Sequence, residues 1–367
     1  LGTSKEVSMI HVSSIRNNDP RYFTSDRALE LDGIRLGGAG WWIRGEGDTE
    51  DPDAIRKVLT TTDRSSKYGY QLIIAAPRPV SILIAIDRDS APAIIKSHQN
   101  AVAGAVQYLE DRGVAWADRR NGESKLVSSK WEEVVSFTHG VNRRGDPHLH
   151  DHVLVGARPA ESNNVLDSRG LFSHLKAADA IYRSELRSQI AERTDWVPRR
   201  TFEGVEQIEG LDLGYVKLWA GNKDFSTEAK QQWTRDQILE RWATDLSRFS
   251  ERGPALIPQR EKRVIDEHTF AGSFEGLEYV NRASIVKSWA NAAPYGQSYK
   301  EMEIVINELY PELIDSSGYM QEAVSLSDAR MTSKVREHGA RPLQARDLEN
   351  WRSQSRSRPG LWLGLSR

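Results

Sequence analysis

His139, His150 and His152 stand where one β-hairpin would gather them on a single sheet face, in the stretch Phe137-Thr-His-Gly-Val-Asn-Arg-Arg-Gly-Asp-Pro-His-Leu-His-Asp-His-Val-Leu-Val155. Neutral imidazole is the commonest side-chain ligand for transition metals, so the chemistry these residues suggest is a divalent-metal site. The chain has only nine histidines, and four of them fall between positions 139 and 152, a clustering that scattered surface histidines would not give.

The elements that must position them can be read from the flanking pattern. Trp131 to His139 is rich in Val and Phe, and His148 to Val155 alternates, so both segments read as strands. Gly140, Asn142, Gly145, Asp146 and Pro147 supply the turn. A period of two puts His148, His150 and His152 on one face and Leu149, Asp151, Val153 and Val155 on the other. Folding the hairpin back sets His139 opposite His150, where cross-strand neighbours lie about 5 Å apart. Asp151, pointing away from the trio, reads as a supporting or solvated residue.

A chain of 367 residues can bury a sizeable core and hold more than one domain. Its net charge of −2 advertises no global attraction to nucleic acid. The charge is uneven, however. Glu301 to Asp328 carries seven acidic residues and no basic one, whereas Arg330 to Arg367 carries nine basic and three acidic, so the tail could touch phosphate. Absence of cysteine excludes disulfides and thiolate ligands, leaving N and O donors for any metal, and is compatible with a cytoplasmic protein. No apolar run reaches the roughly 20 residues of a membrane span, and no signal peptide is expected.

Along the chain, residues 1–8 read as a tag remnant, 9–225 as a catalytic core, 226–350 as a helical lobe rich in Trp (Trp233, Trp242, Trp289) and 351–367 as a flexible basic tail that includes Trp351. Tyr70 to Ala75 and Val80 to Ile86 read as two strands around Ala76-Pro-Arg-Pro79. Ser90 is placed to cap a helix with the stripe Ile94, Ile95, Val102, Val106 and Leu109, ending at Gly113. His98 lies on the edge of that stripe and reads as a core residue. Short strands at 114–116 and 125–129 lead to the histidine hairpin, and a long amphipathic helix covers about Leu171 to Glu192. The expected fold is α+β: a mostly antiparallel central sheet, helices packed on one face, the histidine-lined site on the other, and a C-terminal helical lobe.

Several of these stretches carry a family resemblance. A first His, Asp-Pro seven and eight places on, and His-x-His at eleven and thirteen are met by His139, Asp146, Pro147, His150 and His152. This resembles the MobF class of conjugative relaxases, within the HUH superfamily of single-strand DNA nicking enzymes. Tyr70-Gln-Leu-Ile-Ile-Ala-Ala-Pro-Arg-Pro-Val-Ser81 is similar to a second signature of that class. Leu166-Asp-Ser-Arg-Gly-Leu-Phe and Lys176-Ala-Ala-Asp-Ala-Ile-Tyr-Arg-Ser-Glu-Leu186 are similar to the helix after its triad. The resemblance covers roughly Met9 to Arg200. It implies a metal held by His139, His150 and His152, with Mg2+ or Mn2+ expected and Zn2+ the alternative. It also implies a nucleophilic tyrosine, matched by Tyr22, that attacks a phosphodiester to give a 5′-phosphotyrosine. The partners implied are single-stranded DNA at an origin of transfer, accessory relaxosome proteins and a type IV secretion coupling protein.

The chain departs from that class in places. The carboxylate of the second signature falls on Gln71, which cannot act as a base but can still orient a ligand imidazole. Phe23 follows Tyr22 where the class often has a second tyrosine. Arg78 falls at a lysine position and, with Arg143, Arg144 and His148 near the hairpin turn, is a candidate for gripping DNA phosphate. No Gly-x-x-x-x-Gly-Lys-[Ser/Thr] occurs in the sequence, so helicase activity is not expected within it. Three rivals stay in view. A metallo-β-lactamase-like hydrolase would need a histidine spacing one residue different, and a cupin-type barrel would need a Glu soon after His152. A rolling-circle initiator or transposase of the same superfamily usually places its tyrosine after the histidines.

Overall fold

The computed structural model describes residues 8–16, 29–31, 34–36, 40–59, 68–120, 123–128, 130–157, 164–201, 203–220, 234–247, 265–274, 279–311 and 323–325. In chain order its strands are β1 (Ile10–Ile15), β2 (Leu29–Leu31), β3 (Ile34–Leu36), β4 (Gly40–Arg44), β5 (Gly69–Ala75), β6 (Ala115–Arg120), β7 (Glu123–Ser128), β8 (Val134–Val141), β9 (Pro147–Gly156), β10 (Val165–Leu166), β11 (Pro198–Arg200), β12 (Glu206–Ile208), β13 (Tyr279–Asn281) and β14 (Ala323–Ser325). The helices are α1 (Pro52–Val58), α2 (Arg78–Ile86), α3 (Ala91–Tyr108), α4 (Ser168–Arg193), α5 (Leu213–Ala220), α6 (Arg235–Leu246), α7 (Glu267–Gly272), α8 (Arg282–Ala292) and α9 (Tyr299–Leu309).

The central sheet has the order β1-β5-β9-β8-β4, with every neighbouring pair antiparallel. The β8–β9 hairpin expected from the histidine stretch therefore occupies its interior. Period-two alternation divides each strand. Leu72 and Ile74 of β5 and Val153 and Val155 of β9 join the main apolar cluster with Ile94 and Val102 of α3 and Leu171, Ile181 and Leu186 of α4. On the other face, Val135, Phe137 and Leu154 meet Ile55 and Val58 of α1 in a smaller cluster. Helices thus cover one face, as the pattern implied, while α1 also shields one end of the face that carries the histidines. That second packing was not visible in the sequence, because α1 is a single short helix behind an Asp51 cap.

Three expectations need correction or refinement. Val80 to Ile86 is not a strand: Arg78–Ile86 is helical, with Pro79 in its first turn, where a missing N–H costs nothing. Val80, Ser81, Ile82, Leu83, Ile84 and Ala85 are all buried, and a run that is apolar all round has no periodicity to separate helix from strand. Ser90 precedes α3 as expected, but its hydroxyl makes no cap hydrogen bond, and α3 passes into a π-turn over Leu109–Gly113. The strands before the hairpin run over 115–120 and 123–128 and form a separate sheet with β10 rather than joining the central one.

The long helix expected at 171–192 is α4, which starts after the Asp167 cap and ends at Thr194. From the segment expected to be a lobe, α8 packs on α4 and α9 on α3, and Ile285, Trp289 and Met302 enter the same apolar cluster as the sheet. Among the described residues no helix is long and apolar enough to cross a membrane.

Candidate metal centre

The hairpin register places His139 directly opposite His150, and His152 opposite Phe137. A bulge separates His139 from Val141, so two residues of β9, His148 and Leu149, face Gly140. The ring centroids of His139 and His150 are 5.2 Å apart, those of His139 and His152 4.8 Å, and those of His150 and His152 5.1 Å. One nitrogen of each ring lies within 4.8 Å of those of the other two. A tetrahedral ion with bonds of about 2.1 Å sets nitrogens about 3.4 Å apart, and small imidazole rotations close that difference.

Two contacts bear on which nitrogen His150 and His152 present. His150 Nδ1 donates to the carbonyl oxygen of His148 at 2.9 Å, which leaves Nε2 as the basic nitrogen of that ring. Gln71, opposite Leu154 on β5, reaches its diagonal neighbour: its side-chain amide meets His152 Nδ1. An amide can offer either end. With Oε1 toward the ring it accepts Nδ1–H and leaves Nε2 to coordinate, which is the orientation a metal-bound His152 requires. In the structure Nε2 faces the ring and Oε1 accepts from the Ser13 hydroxyl of β1 at 3.4 Å, so the coordinating orientation exchanges these two ends of the amide. The residues present therefore fit a divalent ion held through three imidazole nitrogens.

His148 shares this face, its ring 4.6 Å from that of His150. Burial, followed by the nearby His150 and Arg78, pushes its pKa down to about 3, so it sits there as a neutral imidazole. Arg78 opens α2 and donates to the carbonyl of Trp219 in the last turn of α5. Arg143 is exposed in the hairpin turn, and the Arg144 backbone N–H donates to Asn142 Oδ1 at 2.9 Å. Tyr22 and Phe23, like Trp233 and Trp351, lie outside the described residues.

Asp151 is not solvated. It is fully buried on the helix-covered face, where its carboxylate accepts from Ser136 Oγ at 2.6 Å and Trp41 Nε1 at 3.1 Å, and pairs with His98 at 3.0 Å. Sequence reading placed Asp151 on the face away from the trio but missed this network, because nothing local names the partners that bury it. The usable signal was its parity together with His98 on the stripe of α3. Also missed was the grip of α6 on the hairpin turn, where Arg241 pairs with Asp146 at 2.8 Å and Trp242 Nε1 donates to the carbonyl of Gly145 at 2.8 Å. Both α6 tryptophan and α8 tryptophan, Trp242 and Trp289, are buried in the core.

A family model described as TrwC relaxase matches residues 24–248. The multifunctional conjugation protein TraI of Escherichia coli is 31% identical over 150 residues, which cover 35% of this chain and 8% of that protein's length. Solved structures of the conjugative relaxase TrwC with oriT DNA, one metal-free and one copper-bound, are each similar with a TM-score of 0.53 and 18% identity. Both similarities cover 65% of this chain and 98% of theirs, and at that identity they speak for the fold. A family match over more than half of the 367 residues settles what the histidine spacing suggested: this chain belongs to the TrwC relaxase family, the MobF class of conjugative relaxases.

Proposed function

We propose that this chain nicks and rejoins single-stranded DNA at an origin of transfer, using Tyr22 as nucleophile beside a divalent ion held by His139, His150 and His152. The observation that carries this reading is the convergence of three imidazole nitrogens on one sheet face within 4.8 Å. The tyrosine assignment rests on the family resemblance. When bound, the ion supplies Lewis-acid polarisation of a phosphoryl oxygen. Tyr22 Oη attacks phosphorus, the bond from phosphorus to the 3′ oxygen breaks, and the phenolic proton ends on the departing 3′ hydroxyl. Gln71 carries no charge with which to take that proton, so a water or the substrate phosphate relays it. One phosphodiester replaces another, which makes the step reversible and suits strand rejoining. Arg78, Arg143, Arg144 and His148 are the groups proposed to hold the DNA phosphates, His148 as a neutral hydrogen-bond donor.

The ion is Mg2+ or Mn2+ in this reading, with Zn2+ the competitor that a set of three nitrogens suits. Accessory relaxosome proteins and a type IV secretion coupling protein are the further partners, and the cytoplasm the compartment. The test is incubation with a pool of single-stranded oligonucleotides and each of these ions, followed by mass spectrometry of the protein. A nucleotide adduct on Tyr22 that disappears in Tyr22→Phe and in His150→Ala is expected. An adduct on another tyrosine would point to an initiator or transposase, and no adduct with any ion would overturn the proposal.

A further inference from the structure

We infer that Arg241 and Trp242 of α6 are positioning residues for the histidine trio, latching the turn that holds His139 and His150 in register. The inference rests on the metal-centre reading above and concerns groups that touch neither ion nor DNA phosphate in that reading. The need for a latch comes from the bulge beside His139. A strand shifted by one residue turns its side chains to the opposite face, and at a bulge the ladder is locally disrupted, so the turn beyond it is not held by continuous strand pairing. His139 and His150 lie on the ladder just beyond it.

The turn itself is short and internally bonded. Asn142 Oδ1 accepts from the backbone N–H of Arg144 and of Asp146, and Gly145 takes a φ of 78°, a conformation that favours glycine. These bonds shape the turn but do not tie it to the rest of the molecule. α6 does. The Arg241 guanidinium pairs with Asp146, whose side chain is only 13% exposed. The buried Trp242 indole donates to the Gly145 carbonyl, so a turn that moved away would strand a buried N–H.

The helix is in turn well anchored. Thr234 and Gln237 form a reciprocal capping box at its start, and Ile238 and Trp242, one turn apart, sink into the core. Asp245 lies 3.9 Å from Arg241 Nε and accepts from Trp219 Nε1 of α5 at 3.2 Å. α5 also receives the Arg78 side chain through the Trp219 carbonyl. A segment about a hundred residues downstream in sequence thereby fixes the geometry of the hairpin, and Asp146 acquires a role at that junction.

The experiment compares wild type, Trp242→Phe, Arg241→Met, the double variant and Arg241→Lys in the full chain. Trp242→Phe keeps an aromatic ring in the core and deletes only the indole donor. Zn2+ affinity is measured by calorimetry, folding by thermal unfolding, and exchange of the amides of residues 140–147 by mass spectrometry on metal-free protein. The double variant should bind Zn2+ at least about fivefold more weakly, short of the roughly 10–100-fold seen when a group touching a ligand ring is lost. Its turn amides should exchange faster, and Arg241→Lys should recover part of the affinity. Equal affinity in wild type and the double variant, with both folded, overturns the latch while leaving the metal centre intact. Absence of binding of Zn2+, Mn2+ and Mg2+ alike by wild type overturns both.

Discussion

Asp151 sits between His150 and His152 in sequence, yet its carboxylate lies on the opposite side of β9, 3.0 Å from His98 Nε2. One strand therefore serves two polar systems, an imidazole trio on one face and a buried carboxylate on the other. Burial works to raise the Asp151 pKa, but the electrostatic interaction and hydrogen bond with His98 and the hydroxyls of Ser136 and Thr138 outweigh it and lower the pKa from its ordinary value. His98 is fixed from its other side by the Tyr182 hydroxyl, 2.8 Å from Nδ1. The network binds β8, β9, α3 and α4 together directly beneath the candidate site.

Removing the acid from this network should be costly. Asp151→Ala leaves the buried His98 and Ser136 without their shared acceptor, and breaking a buried pair in this way costs about 3–5 kcal/mol. Urea unfolding of the purified variant should show a loss of that size. A loss under about 1 kcal/mol would mean that the carboxylate is dispensable to the fold and that its role must be sought on the other face.

Gln71 offers a change in the opposite direction. Its amide lies against His152 Nδ1, and an acceptor at that position fixes the tautomer in which Nε2 coordinates. Gln71→Glu keeps the length of the side chain and replaces an ambiguous amide with an obligatory acceptor that carries charge. Metal affinity should rise roughly tenfold, and Gln71→Leu should lower it by a similar factor. Calorimetric titration of the three proteins decides the matter, since unchanged affinity in both variants would show that Gln71 does not orient the ring.

The legible part of the molecule was local. His139 and His150 are joined by a short turn with conventional turn residues, so alternation alone fixed their face and pairing, and the Asp-Pro spacing pointed to the family. What could not be read depends on distant partners. Val80 to Ala85 is buried on every side by α3, β9 and α5, which erased the pattern that distinguishes a helix. The bond from Trp242 to Gly145 spans 97 residues, and no spacing rule connects them. The face of Asp151 was legible from alternation, but its burial was not, because the partners that enclose it, His98 of α3 and Ser136 of β8, come from other elements.

Glu185 of α4 is the third point of leverage, and it concerns pH. Its carboxylate faces Gly104 of α3 so closely that a Cβ there would meet Oε2 at 2.1 Å, and it accepts the Tyr299 backbone N–H at the start of α9 at 3.1 Å. Burial raises its pKa to about 7 from an ordinary value of 4.5, against the smaller opposing pull of that hydrogen bond and Lys300. Between those values the folded protein holds a proton that the unfolded chain has released. Stability from this group is therefore fully present below about 4.5 and is lost as pH rises through about 7. Glu185→Gln retains an oxygen acceptor for Tyr299 and removes the titration. Its stability relative to wild type should rise by as much as roughly 3 kcal/mol between about pH 4.5 and pH 8. Denaturant unfolding at both ends of that range is the measurement, and a difference independent of pH would show that Glu185 titrates normally in the folded protein.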